Sequence, residues 1–210
     1  MIDCVVPQAP LLRQLFGGTS TTQFISKGCT HYSESDQPFY TVSVEIKNKK
    51  DLMESFELYV EGEMLTGDNQ YFCGQCQAKR DTLMRTCIRE LPPILTVHLK
   101  RFEFDLNLMR HKKLNDRCSF PMEIDMEPYT VEGIARIEAE SGVGAPYTGP
   151  VHPPEHYQYE LVGIVVHTGS ADCGHYYSYI KERMPLAGTI PRWFEYNDTS
   201  VTPFDITVCT

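Results

Sequence analysis

The chain has 210 residues, 41% of them hydrophobic and 22% charged, which is enough for a sizeable core and excludes a disordered segment. Its formal charge of −9 argues against a nucleic-acid partner, which would favour a basic stripe. No window approaches the roughly 18 consecutive apolar residues of a membrane span, so no membrane partner is expected either.

The first residues, Met1-Ile2-Asp3-Cys4-Val5-Val6-Pro7, hold no basic stretch and no long apolar stretch, so no signal peptide is read there. Eight cysteines in a leaderless chain then read as reduced thiols and metal ligands, pointing to the cytosol or nucleus. Residues 41–46 alternate in period two and predict a half-buried strand. Lys47-Asn48-Lys49-Lys50 reads as a solvated turn. Apolar residues at 52, 53, 56, 59 and 60 have helical spacing, with Asp51 as N-cap.

Leu91-Pro92-Pro93 ends any helix, and residues 94–102 read as a buried strand in which His98 is a satisfied core histidine. Glycines and prolines crowd residues 131–154, predicting a long surface loop or insertion. Residues 159–167 are apolar and β-branched, as in a core strand, and 175–180 and 193–196 read as two more strands. The aromatic residues of these last two runs are expected to fall about half inside by alternation. Strands outnumber helices in the second half, so the fold class is α+β with an antiparallel sheet.

Two constellations carry chemistry. Cys73-Gly74-Gln75-Cys76 is a knuckle that turns two thiolates toward one cation, and Cys29-Thr30-His31 offers a second chelating pair. Cys29, His31, Cys73 and Cys76 together predict a closed, structural zinc site of the Cys₃His type. His175 heads one strand-like run, while Asn197 and Asp198 end the next. A histidine held by an amide or carboxylate is two-thirds of a Cys-His-Asn/Asp hydrolase site. Gly174 removes a side chain where the backbone passes close to something, such as a substrate tail. His167 reads as turn packing beside this site, with support of the site as the alternative, and His111, His152 and His156 as exposed.

None of the remaining cysteines has the context of a nucleophile. Cys173 is two residues from His175, Cys4 lacks a helix N-terminus, and Cys87, Cys118 and Cys209 adjoin apolar runs.

The chain resembles the ubiquitin-specific protease family of deubiquitinases. Tyr71-Phe72-Cys73-Gly74-Gln75-Cys76 resembles the family's finger knuckle, and Leu91-Pro92-Pro93-Ile94-Leu95-Thr96-Val97-His98-Leu99-Lys100-Arg101-Phe102 its central palm strand. Gly174-His175-Tyr176-Tyr177-Ser178-Tyr179 with Trp193-Phe194-Glu195-Tyr196-Asn197-Asp198 resembles its His box. The Cys-x-His pair, with Leu15-Phe16-Gly17-Gly18 and Met126-Glu127-Pro128-Tyr129-Thr130, is similar to the large fat-facets-like branch.

The resemblance implies a papain-like right-hand fold of fingers and palm with the thumb missing. Residues 1–28 would be a remnant of the thumb–palm connection and 29–90 the zinc-binding fingers. Residues 91–210 would be a palm incomplete at its C-terminus, with 130–157 as a surface insertion. It implies hydrolysis of the isopeptide bond after the C-terminal Gly-Gly of ubiquitin, with ubiquitin or ubiquitinated proteins as partners. His175 maps onto the general base, Asn197 onto the third triad position with Asp198 beside it, and Gly174 and Tyr176 onto the channel for the ubiquitin tail.

The family's Gly-x-x-Asn-x-Gly-x-x-Cys-Tyr-x-Asn box has no counterpart in the 210 residues, so the chain is expected to be inactive by itself. A non-catalytic ubiquitin-binding module and a zinc-stabilised scaffold domain are the alternatives.

Overall fold

Thr19, Ser20, Thr21 and Thr22 are four hydroxylated side chains in a row, mostly β-branched, and they sit in the inner strand of the first sheet. The computed structural model describes residues 9–29, 32–107, 109–142, 147, 149–185 and 188–208. They form two units, one of residues 1–45, 53–99 and 125–159, the other of 46–52, 100–124 and 160–210.

The first unit opens with α1 (Ala9–Phe16), which ends at Gly17. The Gly17 N–H donates to Arg13 O at 2.9 Å, and a Cβ there would lie 2.4 Å from that oxygen, so only glycine closes this turn. The strands that follow are β1 (Gly18–Ser26), β2 (Tyr32–Phe39) and β3 (Val42–Val44), then helix α2 (Leu52–Glu61). After it come β4 (Glu63–Leu65), β5 (Tyr71–Cys73), β6 (Ala78–Arg80), β7 (Thr82–Glu90) and β8 (Val97–Leu99). A four-stranded antiparallel sheet takes the order β2-β1-β7-β4, β5 and β6 make a small hairpin, and β3 runs parallel to β8.

The helix predicted from Asp51 is α2, whose Phe56 is fully buried and stacks on Tyr129 at 5.0 Å. The strand predicted over 94–102 is instead three residues long, and His98 within it is exposed rather than a core histidine. Among the described residues β8 pairs with β3 alone, and its middle residue faces solvent. Ser43 Oγ lies 3.3 Å from His98 Nδ1.

Residues 131–140 are not a loop but helix α3 (Val131–Glu140). Thr130 caps it: its Oγ1 accepts from the Gly133 N–H at 3.0 Å and donates to Glu127 O at 2.8 Å. Val131 and Ile134, three residues apart, pack on buried Cys87 of β7, with Val60 and Tyr147 at the margin. Arg85 adds a polar clamp. Its Nε donates to Gln23 Oε1 at 2.8 Å, while its two terminal nitrogens grip the Glu138 carboxylate of α3. The short apolar repeat was hidden by the glycine inside it and by the Gly/Pro-rich segment that follows.

The second unit holds the hairpin β9 (Phe102–Asp105) and β10 (Arg110–Lys113). The chain passes between the units along β11 (Glu123–Asp125) and β12 (Gln158–Glu160). The meander β13 (Gly163–Gly169), β14 (Gly174–Lys181), β15 (Trp193–Asn197) and β16 (Ser200–Phe204) then forms a four-stranded antiparallel sheet in sequence order. The predicted alternation is visible here. Tyr179 and Trp193 are buried on one face, while Tyr176 and Tyr196 on the other are exposed. Among the described residues, no helix is long and apolar enough to cross a membrane.

Gly133 is a stringent position, because a Cβ there would lie 1.9 Å from Glu127 O. Gly133→Ala is expected to destabilise the chain by about 1–3 kcal/mol, and Thr130→Ala by about 1 kcal/mol. Urea midpoints at constant m-value measure both; an alanine variant at 133 as stable as the parent would contradict this packing.

Candidate active site and cysteine cluster

Strand register brings the two halves of the predicted site together. Ser178 of β14 faces Tyr196 of β15, so position 177 faces Asn197, and His175 lies one pleat further along the same face. A two-residue turn follows, since Asn197 pairs with Ser200 across it. Asp198 takes φ 52° there, a left-handed conformation that a short polar side chain tolerates.

His175 Nε2 is 2.7 Å from Asn197 Oδ1, and 3.8 Å from Asp198 Oδ2. The amide oxygen can only accept, so Nε2 donates, and the lone pair of the neutral ring is left on Nδ1. That is the tautomer a general base for a thiol requires. His175 and Asp198 side chains keep 46% and 77% of their surface exposed, so the carboxylate acts mostly through water.

Around His167, on the face of β14 opposite His175, lies a cavity of about 270 Å³ lined by Phe102, His167, Cys173, Gly174 and Tyr176 among others. His167 is more than turn packing. Its ring is 4.6 Å from Tyr176 and edge-on to Phe102 at 5.4 Å. The backbone around it is stitched to β10 by Lys113, whose Nζ donates to His167 O at 2.8 Å and Gly169 O at 3.3 Å.

A Cβ on Gly174 would lie 2.1 Å from His167 Nε2 and 2.2 Å from Thr168 O. The close approach that requires this glycine therefore comes from the neighbouring strand of its own hairpin. Tyr176 is 61% exposed, and the Cys173 thiol is exposed 3.6 Å from Ser170 Oγ. Cys87 and Cys118 are buried, and burial pushes the Cys87 thiol up to about 11, so it stays protonated at neutral pH. Cys4 and Cys209 lie outside the described residues.

Three residues near the site were not evident from sequence. Lys113 and Phe102 reach His167, on the strand next to that of His175, from a hairpin distant along the chain, a relation that only tertiary structure reveals. Glu195, whose Oε1 accepts from Asn197 Nδ2 at 3.4 Å, was within reach of a sequence argument. It stands two residues before Asn197 on a strand and so shares its face.

In the first unit, Cys29, Cys73 and Cys76 converge. Their Sγ atoms are 3.8 Å (29 to 73), 3.4 Å (73 to 76) and 2.9 Å (29 to 76) apart. A tetrahedral zinc with bonds of about 2.3 Å sets its sulfurs about 3.8 Å apart, the spacing of the 29–73 pair, and Cys76 would move outward to join them. The Cys76 backbone N–H leads in lowering the Cys73 thiol to about 6, favouring the thiolate that binds metal. Contact with Cys29 leads in raising Cys76 to about 11. The fourth predicted ligand, His31, lies outside the described residues.

The pattern that defines the family "Ubiquitin carboxyl-terminal hydrolase" matches residues 5–209. The chain is 40% identical over 200 residues to mouse ubiquitin carboxyl-terminal hydrolase 9X, covering 91% of the chain and 8% of that protein. It is 42% identical over 196 residues to the probable ubiquitin carboxyl-terminal hydrolase FAF of Drosophila melanogaster, covering 93% of the chain and 7% of that protein. It thus spans less than a tenth of the length of these relatives.

The Ubp8-containing SAGA DUB module bound to ubiquitin aldehyde superposes with a TM-score of 0.73 at 28% identity, over 95% of this chain and 40% of that one. The fold is accordingly that of the papain-like deubiquitinase domains, α+β with antiparallel sheets. The chain belongs to the ubiquitin carboxyl-terminal hydrolase family.

Proposed function

We propose that these residues are the fingers and palm of a deubiquitinating cysteine hydrolase, cleaving the isopeptide bond after the C-terminal Gly-Gly of ubiquitin. The observation that carries this reading is the 2.7 Å contact of His175 Nε2 with Asn197 Oδ1, in a member of that family. His175 is the general base through Nδ1, Asn197 fixes its tautomer, and Asp198 supports the imidazolium that forms. Gly174 and Tyr176 border the path of the ubiquitin tail, and ubiquitin or ubiquitinated proteins are the partners.

The attacking thiolate is not among the 210 residues, which contain no Asn-x-Gly-x-x-Cys box. The isolated chain therefore binds ubiquitin without cleaving it. Residues 29–90 act as zinc-bearing fingers, 91–210 as the palm, and 1–28 as a connection toward a thumb. Cys29, Cys73 and Cys76, with His31 as fourth ligand, hold a structural zinc that cross-links the fingers and leaves no open coordination position. A set of reduced thiols suits the cytosol or nucleus.

Titrating ubiquitin into the labelled chain should move amide resonances around Gly174 and Tyr176; silence at millimolar ubiquitin would remove the reading. An electrophilic ubiquitin probe should leave the chain unlabelled, and a band that vanished in Cys173→Ser would overturn the proposal of an absent nucleophile.

For the metal, elemental analysis should return about one zinc per folded chain, falling to near zero in Cys73→Ser. The same variant should melt earlier than the parent, because metal-binding free energy is folding free energy here. A folded, metal-free parent would refute the zinc assignment.

A further inference from the structure

We infer that Glu195 is a positioning residue that sets which end of the Asn197 amide faces His175. The inference rests on reading His175 and Asn197 as a base and its orienting partner. An amide in that position has two ends of nearly equal shape and opposite hydrogen-bonding character. With its oxygen toward His175, the ring proton stays on Nε2 and the lone pair on Nδ1. Turned by 180°, its NH₂ would donate to Nε2, the ring proton would move to Nδ1, and the lone pair needed by a base would be lost. A carboxylate has no wrong end, so the difficulty belongs to the asparagine.

Glu195 removes it. The carboxylate stands on the same face of β15 and accepts from Asn197 Nδ2 at 3.4 Å. In the turned amide the same carboxylate would confront a carbonyl oxygen, an acceptor against an acceptor. The residues opposite Glu195 on the adjacent strands are Tyr179 and Thr202, neither of which brings a positive charge to it. The Asp198 Oδ2 atom, 3.8 Å from His175 Nε2, favours the same placement of the ring proton.

The test reads the imidazole directly. In the ¹⁵N-labelled chain, the His175 ring is assigned by its loss in His175→Gln, and its tautomer ratio is measured where the ring is neutral. The parent should be dominated by the Nε2–H form. Glu195→Ala should lower the ratio of Nε2–H to Nδ1–H by about three- to tenfold, the worth of one modest hydrogen bond. Glu195→Thr, which suits a strand but is too short to reach, should do the same. Glu195→Gln still offers an acceptor and should retain most of the bias.

On an Asn197→Asp background, Glu195→Ala should have no such effect, because that side chain has no NH₂ to hold. A parental ratio in the folded alanine and threonine variants would overturn the inference. So would an equal loss on the Asn197→Asp background, which would mean a general charge effect. Neither readout depends on ubiquitin, so failure here is distinct from failure of the deubiquitinase reading.

Discussion

The candidate site depends on one constraint, the register of β14 against β15. A strand pair has a side-chain period of two, so slipping it by one residue would send His175 and Asn197 to opposite faces and dissolve their contact. Several features hold the register from the flanks. Tyr179 stacks on Phe204 at 3.7 Å, Trp193 is buried at the start of β15, and the tight turn at Asp198 fixes where β15 must end. The buried aromatic face thus fixes the position of the polar pair at the sheet's end. Burial and chemistry occupy different parts of the same strands, so a slip costs core contacts as well as the site.

The cysteine cluster answers a different physical problem. The hairpin of β5 and β6 has three residues per strand, too few to bury a core of its own, and Phe72 between the knuckle cysteines and Tyr71 is half exposed. A ring contact, Phe24 on Tyr71 at 5.0 Å, ties this hairpin to β1. A metal held by Cys29, Cys73 and Cys76 would join segments distant in sequence, which suits a region where hydrophobic burial is thin. The larger sheet nearby relies instead on α3, with Cys87 under the helix and Arg85 reaching Glu138.

What the sequence disclosed follows from how local each signal is. The helix after Asp51, the alternating run in β14, and the pairing of His175 with Asn197 each rest on spacing within a short window, and each is found in the structure. The knuckle at Cys73 and Cys76 is equally local, and Cys29 joins it. The failures have the opposite character. Residues 131–140 form a helix because Thr130 caps it and Cys87 lies beneath it, while the composition of the whole segment pointed to a loop. His98 sits in a strand that pairs, among the described residues, with β3 alone, so a pattern typical of central strands overstated its burial. Phe102 lines the cavity at His167, and Lys113 holds the backbone there, through a hairpin whose placement no periodicity reveals.

At a surface position, orientation matters more than charge. His175 and Asp198 are about half and three-quarters exposed, and water screens their attraction to the few tenths of a kcal/mol typical of exposed pairs. A hydrogen bond of 2.7 Å to Asn197 is less diluted, because it depends on contact geometry rather than on field strength. An amide in this role also brings no charge that would bind the imidazolium too firmly to return its proton. Its weakness is its symmetry, since either end fits the same space. A carboxylate two residues earlier on the strand resolves that ambiguity with one acceptor. The direction of the Asn197 amide, and with it the nitrogen of His175 left free to take a proton, is then set by the alternation of a single β-strand.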